Sequence, residues 1–220
     1  MYRGVIYDCD GVLVDSTITS AERFFSVATL RGLPVTLGML EQKHIVARMG
    51  GDAIKLFWPD EDVKAFYSDW EAVDLKYNFK PIPGTRETLE TLRRRHYQSS
   101  VLSNRGDRTL VPLIDRLGLT HLLAIVYGCA GKAHMKPDLR SAEPLLSFYG
   151  NKLSIGPKEI IFVGDSAGVD WPVARENGIG FIGVLTGVST DREFLEAGVP
   201  SANILCSIAE LPGWLEKHDS

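Results

Sequence analysis

Short apolar-rich runs recur along the chain at 3–7, 99–103, 122–127, 159–163, 179–185 and 203–206, and each gives way to Asp, Asn, Gly, Thr or Ser. Runs of this length bounded by turn residues have the form of buried parallel strands. Between them lie patterns of helical spacing. Leu89 and Leu92 form one, Leu110, Val111, Ile114 and Leu117 a second, and Leu145, Leu146 and Tyr149 a third, with Gly150 placed as its C-cap. Strands that alternate with helices predict an α/β fold built on a parallel sheet.

The stretch from about 16 to 80 breaks the alternation. It holds no strand-like run and reads as amphipathic helices over about 18–32, 38–48, 51–57 and 60–77, punctuated by Gly32-Leu33-Pro34, Gly50-Gly51 and Pro59. The expected organisation is a core of residues 1–15 and 81–220 with an all-helical domain, residues 16–80, inserted after the first strand. Pro81-Ile82-Pro83-Gly84 marks the return to the core, with Thr85 placed to cap the next helix. The 220 residues amount to about one and a half average domains, which suits a core carrying an insertion.

Composition excludes several function classes. A chain with 45% hydrophobic and 24% charged residues can bury a globular core. Its longest uncharged apolar stretch, Gly178 to Leu185, falls short of the roughly 18 residues a membrane-spanning helix needs, so no membrane partner is expected. Asp8 and Asp10 interrupt the N-terminal apolar run, so a secretory leader is not expected either. Twenty-four basic residues against 28 acidic ones give a net charge of -4, which offers no general field for nucleic acid. Arg93-Arg94-Arg95 complement a helix C-terminus instead. Cys9, Cys129 and Cys206 are too widely spaced for a disulfide framework or a paired-cysteine metal site, and a cytoplasmic location is expected.

Candidate chemistry gathers where the strands stop. The first strand ends in Asp8-Cys9-Asp10-Gly11, and ligand sites in parallel α/β sheets lie at the carboxyl ends of strands. Two acids one residue apart repel unless a hard cation with oxygen ligands, Mg²⁺ above all, neutralises them. Gly11 lets the backbone curl and aim its N–H groups at an anion. Three further groups complement these acids. They are Ser103-Asn104 after the second core strand, Lys136-Pro137 in a later loop, and Gly164-Asp165 with Asp170 beyond another strand. Lys132 is the one nearby competitor of Lys136, and the proline that follows favours Lys136.

In this order, Asp8-x-Asp10-Gly11-x-Leu13-x-Asp15-Ser16, Ser103-Asn104, Lys136-Pro137 and Gly164-Asp165 with Asp170 resemble the four motifs of the haloacid dehalogenase (HAD) superfamily. The resemblance implies a Rossmann-like core, and helices inserted between the first two motifs are similar to the cap of the phosphoglycolate phosphatase-like and β-phosphoglucomutase-like branches. Asp10 implies phosphoryl transfer, because the dehalogenases that named the superfamily lack an acid there. By the same resemblance Asp8 is the nucleophile that becomes an aspartyl-phosphate, and Asp10 is the general acid and then base. Ser103, Asn104, Lys136 and Gly11 hold the phosphate. Asp8, Asp10 through its carbonyl, Asp165 and Asp170 form the Mg²⁺ site. The substrate is then a small phosphorylated metabolite. One departure is local: the Lys-Pro motif lacks the usual second proline, with Asp138 and Leu139 next and Pro144 only later, which leaves the following helix start open.

Three rival readings stand beside this one. Gly164-x-Ser166-x-Gly168 matches the nucleophile elbow of α/β-hydrolases, with Asp191 and His218 following in the required order. A non-catalytic HAD-like binding protein is the second. A phosphosugar mutase is the third, although Asp52-Ala53-Ile54-Lys55 stands where Arg-rich cap contacts are expected for one. Arg48, beside Gly50-Gly51 with Lys43 and His44 nearby, is the expected reader of a substrate carboxylate.

Overall fold

In the computed structural model, which describes residues 1–42, 45–46 and 52–218, the apolar runs form one parallel sheet. The strands in chain order are β1 (Gly4–Tyr7), β2 (Val14–Asp15), β3 (Lys80–Pro81), β4 (Gln98–Ser103), β5 (Ile125–Gly128), β6 (Ile160–Gly164), β7 (Gly180–Val184) and β8 (Ile204–Leu205). Six of them lie in the order β5-β4-β1-β6-β7-β8, and β2 pairs with β3 separately. The chain builds outward from β1 through β4 to β5, then returns to the other side of β1 for β6, β7 and β8. A crevice opens at such a reversal, beyond the carboxyl ends of the strands.

Register aligns the strand ends. Tyr7 of β1 lies level with Val101 of β4 and Val163 of β6. Asp8 is one residue past that level, and Ser103 and Asp165 are two residues past it, so all three reach the same edge of the sheet. The strands hold their positions because they are apolar and packed on both faces: Val5, Ile6, Tyr7, Ile161, Phe162 and Val163 are all fully buried. Gly4 is required by a close approach, since a Cβ there would lie 2.7 Å from the ring of Tyr149. The Tyr149 hydroxyl is 2.7 Å from the Gln98 carbonyl, 3.0 Å from Ser100 Oγ and 3.2 Å from the Val5 carbonyl. One phenol thereby ties β1 to β4 and satisfies a buried serine in a strand that sequence pattern alone reads as mostly apolar.

Two helix ends differ from expectation. Gly150 lies inside the helix Glu143–Leu153, whose left-handed C-cap is Ser154 at φ 54°. Thr85 is the first residue of the helix Thr85–Arg94, not its cap. That place belongs to Gly84 at φ 87°, and Thr85 Oγ1 instead donates to the Leu13 carbonyl at 3.1 Å. Gly84 is needed because a Cβ there would lie 2.6 Å from Ala209 Cβ.

Met1–Val14 and Lys80–Ser220 form one compact unit, and Asp15–Phe79 form a second. The second unit is helical, with helices Thr17–Leu30, Leu37–Glu41, Asp52–Phe57 and Val63–Lys76. The last of these starts later than periodicity suggests, because Asp62 caps it by accepting from the amides of Lys64 and Ala65 at 2.9 and 3.1 Å. The unit has its own aromatic core around Phe24, whose ring centroid lies 5.1 Å from Phe66, 5.3 Å from Trp70 and 5.5 Å from Trp58. Among the described residues, no helix is long and apolar enough to cross a membrane.

Tyr149→Phe removes the phenol oxygen and with it the bonds to buried Ser100 Oγ and to the Gln98 and Val5 carbonyls that tie β1 to β4. The expected loss is about 1–3 kcal/mol of unfolding free energy, read by urea denaturation followed by circular dichroism. An unchanged midpoint would show that the hydroxyl holds nothing together.

Candidate active site

Asp8 emerges from β1 nearly buried, and its Oδ1 accepts from the Cys9 amide at 2.6 Å and from Lys136 Nζ at 2.9 Å. The chain then folds into a tight turn: the amides of Leu13 and Val14 both donate to the Cys9 carbonyl, and the Gly11 amide donates to the Val14 carbonyl at 2.9 Å. This corrects the expectation that the Gly11 amide faces an anion, since the turn itself uses that donor. The glycine is there for space. At φ 74° it turns where a side chain is strained, and a Cβ would run into the Asp165 carboxylate.

Asp165 stands at the end of β6 and is held from above by a second loop. Its Oδ2 accepts from the Val188 amide at 2.8 Å, and its carbonyl accepts from the Ser189 amide at 3.1 Å. Thr186 Oγ1 donates to the Gly11 carbonyl at 2.6 Å, which joins this loop to the turn after β1. Gly187 lies so close to Asp165 that any Cβ would overlap the carboxylate. Asp170, fully buried at the start of the helix Asp170–Glu176, accepts from the amides of Asp165 and Ser166 through Oδ2, each at 3.1 Å. Its Oδ1 accepts from Lys136 Nζ at 2.7 Å. Asp170 thus shapes the loop and aims the lysine. Gly164 makes room for it, because a Cβ there would collide with Asp170 Cβ.

Lys136 is the lysine of the site. Lys132 instead pairs with Asp107 at 2.6 Å and lies over the Tyr127 ring at 3.5 Å. Asn104 places Lys136: its amide nitrogen donates to the Lys136 carbonyl and its amide oxygen accepts from the Lys136 amide, both at 2.9 Å. This clamp takes the amide oxygen and one of the two amide N–H groups of Asn104. Ser103 is buried beside it, and its Oγ accepts from the Arg105 amide at 3.1 Å. Beyond Lys136, Asp138 caps a short 3-10 turn, Leu139–Ala142, that leads into the helix Glu143–Leu153, so Asp138 stands in for the missing second proline. Arg48 lies outside the described residues, as do Lys43, His44, Gly50 and Gly51.

The electrostatics of this cluster call for a cation. Ligand oxygens of Asp8, Asp165 and Asp170 all lie within 4.8 Å of one another, and the one ammonium among them belongs to Lys136. Burial pushes the Asp8 carboxyl up to about 7 against the pull of Lys136, with Asp170 and Asp10 raising it further. Burial, then Asp170 and Asp8, push Asp165 well above the usual carboxylate range. Burial opposes the charge on Lys136, but Asp170 and Asp8 outweigh it and hold the ammonium above its ordinary range. Three buried carboxylates facing one ammonium leave two formal negative charges, and a hard divalent cation with oxygen ligands offsets them. Among the described residues, Asp8, Asp165 and Asp170 are the acids grouped closely enough to hold it.

Asp10 behaves differently. Its carboxylate stands outside that cluster, is 37% exposed, and is gripped by Arg105, whose Nε and Nη2 donate to its two oxygens at 2.7 Å each. Sequence reasoning missed Arg105. The only available signal was its place directly after Ser103-Asn104. The esterase reading, in contrast, lacks its histidine: His218 Nδ1 lies 2.8 Å from the Trp214 carbonyl, and its ring stacks on Trp214 at 4.2 Å.

The fold is a parallel α/β sheet whose carboxyl edge gathers three buried carboxylates around a buried lysine. The haloacid dehalogenase-like hydrolase family model matches residues 5–184, and the chain belongs to that family. It is a phosphatase of the family. A phosphoglycolate phosphatase of Chromobacterium violaceum is 30% identical over 224 residues, covering 95% of this chain and 94% of the relative. Two solved structures share the fold. A haloacid dehalogenase-like family hydrolase from Streptococcus pneumoniae superposes with TM-score 0.79 at 18% identity, covering 97% of this chain and 98% of its own. A HAD-superfamily hydrolase of subfamily IA from Geobacter sulfurreducens gives 0.70 at 24% identity, covering 97% and 96%.

Gly187→Ala tests the packing around the acids. It displaces the Asp165 carboxylate without touching the core, so Mg²⁺ affinity falls by about tenfold or more, read by calorimetry and by loss of the Mg²⁺-dependent rise in Tm. Wild-type affinity in this variant would show that Asp165 is not held by the loop.

Proposed function

We propose that this chain hydrolyses a small phosphomonoester, of the phosphoglycolate type, by passing the phosphoryl group through Asp8. The observation that carries the reading is the pairing of Asp8 with Lys136 inside the acid cluster, 2.9 Å apart and nearly buried. Lys136 and the Cys9 amide hold Oδ1, which fixes the carboxylate plane and leaves Oδ2 to attack phosphorus. As the phosphorus–oxygen bond to the alcohol breaks, Asp10 gives the leaving oxygen a proton. It then takes one from the water that attacks the aspartyl-phosphate, which returns Asp8 as a carboxylate and releases inorganic phosphate.

Phosphoryl transfer needs little covalent help and much charge neutralisation. Lys136 supplies one positive charge, and the Ser103 hydroxyl is placed to donate to a phosphate oxygen. Mg²⁺ held by Asp8, Asp165 and the Asp10 carbonyl, when bound, supplies the remaining positive charge. Asn104 and Asp170 contribute indirectly, by holding Lys136 where it serves both Asp8 and the phosphate. The phosphoglycolate preference draws on the relatives that carry that name, and it fits a small, strongly anionic substrate.

Phosphate release from p-nitrophenyl phosphate and from 2-phosphoglycolate tests the proposal. Asp8→Asn should lower kcat by a factor on the order of 10³ or more, as loss of a covalent nucleophile does. Asp10→Asn should cost about 10²–10⁴-fold. EDTA should abolish activity, and Ser166→Ala should leave it intact. Turnover that survives in Asp8→Asn overturns the nucleophile assignment, and loss of activity in Ser166→Ala restores the esterase reading.

A further inference from the structure

Arg105 has a geometry that the reaction as described leaves unused. Its side chain is 8% exposed, and it presents Nε and Nη2 as a fork to a carboxylate at 2.7 Å on both arms. The backbone beneath it is fixed. The Arg105 amide donates to Ser103 Oγ, and its carbonyl accepts from the Ala130 amide at 3.3 Å. The loop lies so close to Gly128 that a Cβ there would sit 2.7 Å from the Asp107 nitrogen and 2.8 Å from the Gly106 carbonyl carbon. The carboxylate in the fork belongs to Asp10, the residue that faces the leaving oxygen. The Asp10 side chain is 37% exposed, so this pair is reachable from solvent.

We propose that Arg105 is a specificity-determining residue that reads a carboxylate on the leaving group, exchanging Asp10 for it when substrate binds. The proposal rests on the phosphomonoesterase reading only for the place of the leaving group. A desolvated guanidinium needs an anion, and one carboxylate satisfies its fork as well as another. A phosphomonoester whose alcohol carries a carboxylate close to the ester oxygen therefore offers Arg105 an equivalent partner and leaves Asp10 beside the leaving oxygen. A neutral alcohol offers nothing in exchange, so the fork stays on Asp10. Recognition and the placement of Asp10 are thereby coupled in one side chain. Discrimination of this kind is strong because the rejected substrate leaves a buried donor pair without an acceptor whenever it displaces Asp10.

Equilibrium binding in the Asp8→Asn background, which binds without turnover, tests this. With Mg²⁺ present, 2-phosphoglycolate should bind at least about tenfold more tightly than ethyl phosphate by calorimetry. Adding Arg105→Gln should bring that ratio close to one by weakening 2-phosphoglycolate alone. Arg105→Lys, which keeps the charge and loses the fork, should give an intermediate ratio and decides the matter if the glutamine variant does not fold. Equal affinities with Arg105 intact, a ratio unchanged in both variants, or equal weakening of both ligands would each overturn the proposal. Absence of phosphate release from the unmutated chain overturns the hydrolase reading, while the binding ratio still judges Arg105.

Discussion

Asp8, Asp165 and Asp170 converge on Lys136 in a space nearly closed to water, and the carboxyl edge of the sheet is organised around making that convergence tolerable. An isolated buried carboxylate takes up a proton or unfolds its surroundings. Here one oxygen of Asp8, one of Asp165 and both of Asp170 have donors: the Cys9 amide and Lys136 on Asp8, the Val188 amide on Asp165, and two loop amides together with Lys136 on Asp170. These donors are mostly backbone amides, so the carboxylates depend on loop geometry. Any substitution that moves a loop therefore moves a carboxylate.

That dependence explains the small residues nearby. Gly11 in the turn after β1, Gly164 at the end of β6 and Gly187 in a later loop are each needed because an aspartate side chain occupies the volume a Cβ would take. Gly11 and Gly187 press on Asp165 from two sides, and Thr186 ties their loops together through the Gly11 carbonyl. Deeper in the same sheet, Tyr149 links β1 to β4 and so fixes the strand from which Asp8 projects. The chain of dependence runs from a buried phenol, through strand register, to the level at which the acids emerge.

Much of this was legible in the sequence. The apolar runs marked the strands, and their ends marked Asp8, Ser103 and Asp165. The proline after Lys136 distinguished it from Lys132. What a single sequence did not reveal is which polar group satisfies which. Gly11 has a donor suited to an anion, and pattern reading assigns it that role, but the turn takes the Gly11 amide, while Asn104 gives one N–H and its amide oxygen to the Lys136 backbone. Those pairings are set by contacts across 32 residues in one case and by the closure of a single turn in the other. Helix ends failed for the same reason. Thr85 left its capping role for the Leu13 carbonyl, a partner 72 residues away, and Gly150 sits inside a helix that its neighbours were strong enough to continue. Arg105 was invisible because an arginine after a strand is ordinarily a solvated one.

In the proposed reaction, the contrast between Asp8 and Asp10, the acids that follow the first strand, fits what each has to do. Asp8 must present one oxygen along a fixed line to phosphorus, and a rigid, buried, doubly held carboxylate serves that need. Asp10 must meet two different partners in turn, a leaving alcohol and then water, so it has to move between them. It is the more exposed acid, and the Arg105 side chain holds both its oxygens. A side-chain partner can swing with it or release it, which a loop amide fixed by several other bonds cannot do. The residue directly between them, Cys9, is fully buried and faces the opposite side of the strand end. In the proposed reaction one turn of backbone joins a tightly held acid to a more exposed one, and Arg105 is the contact that holds the exposed one.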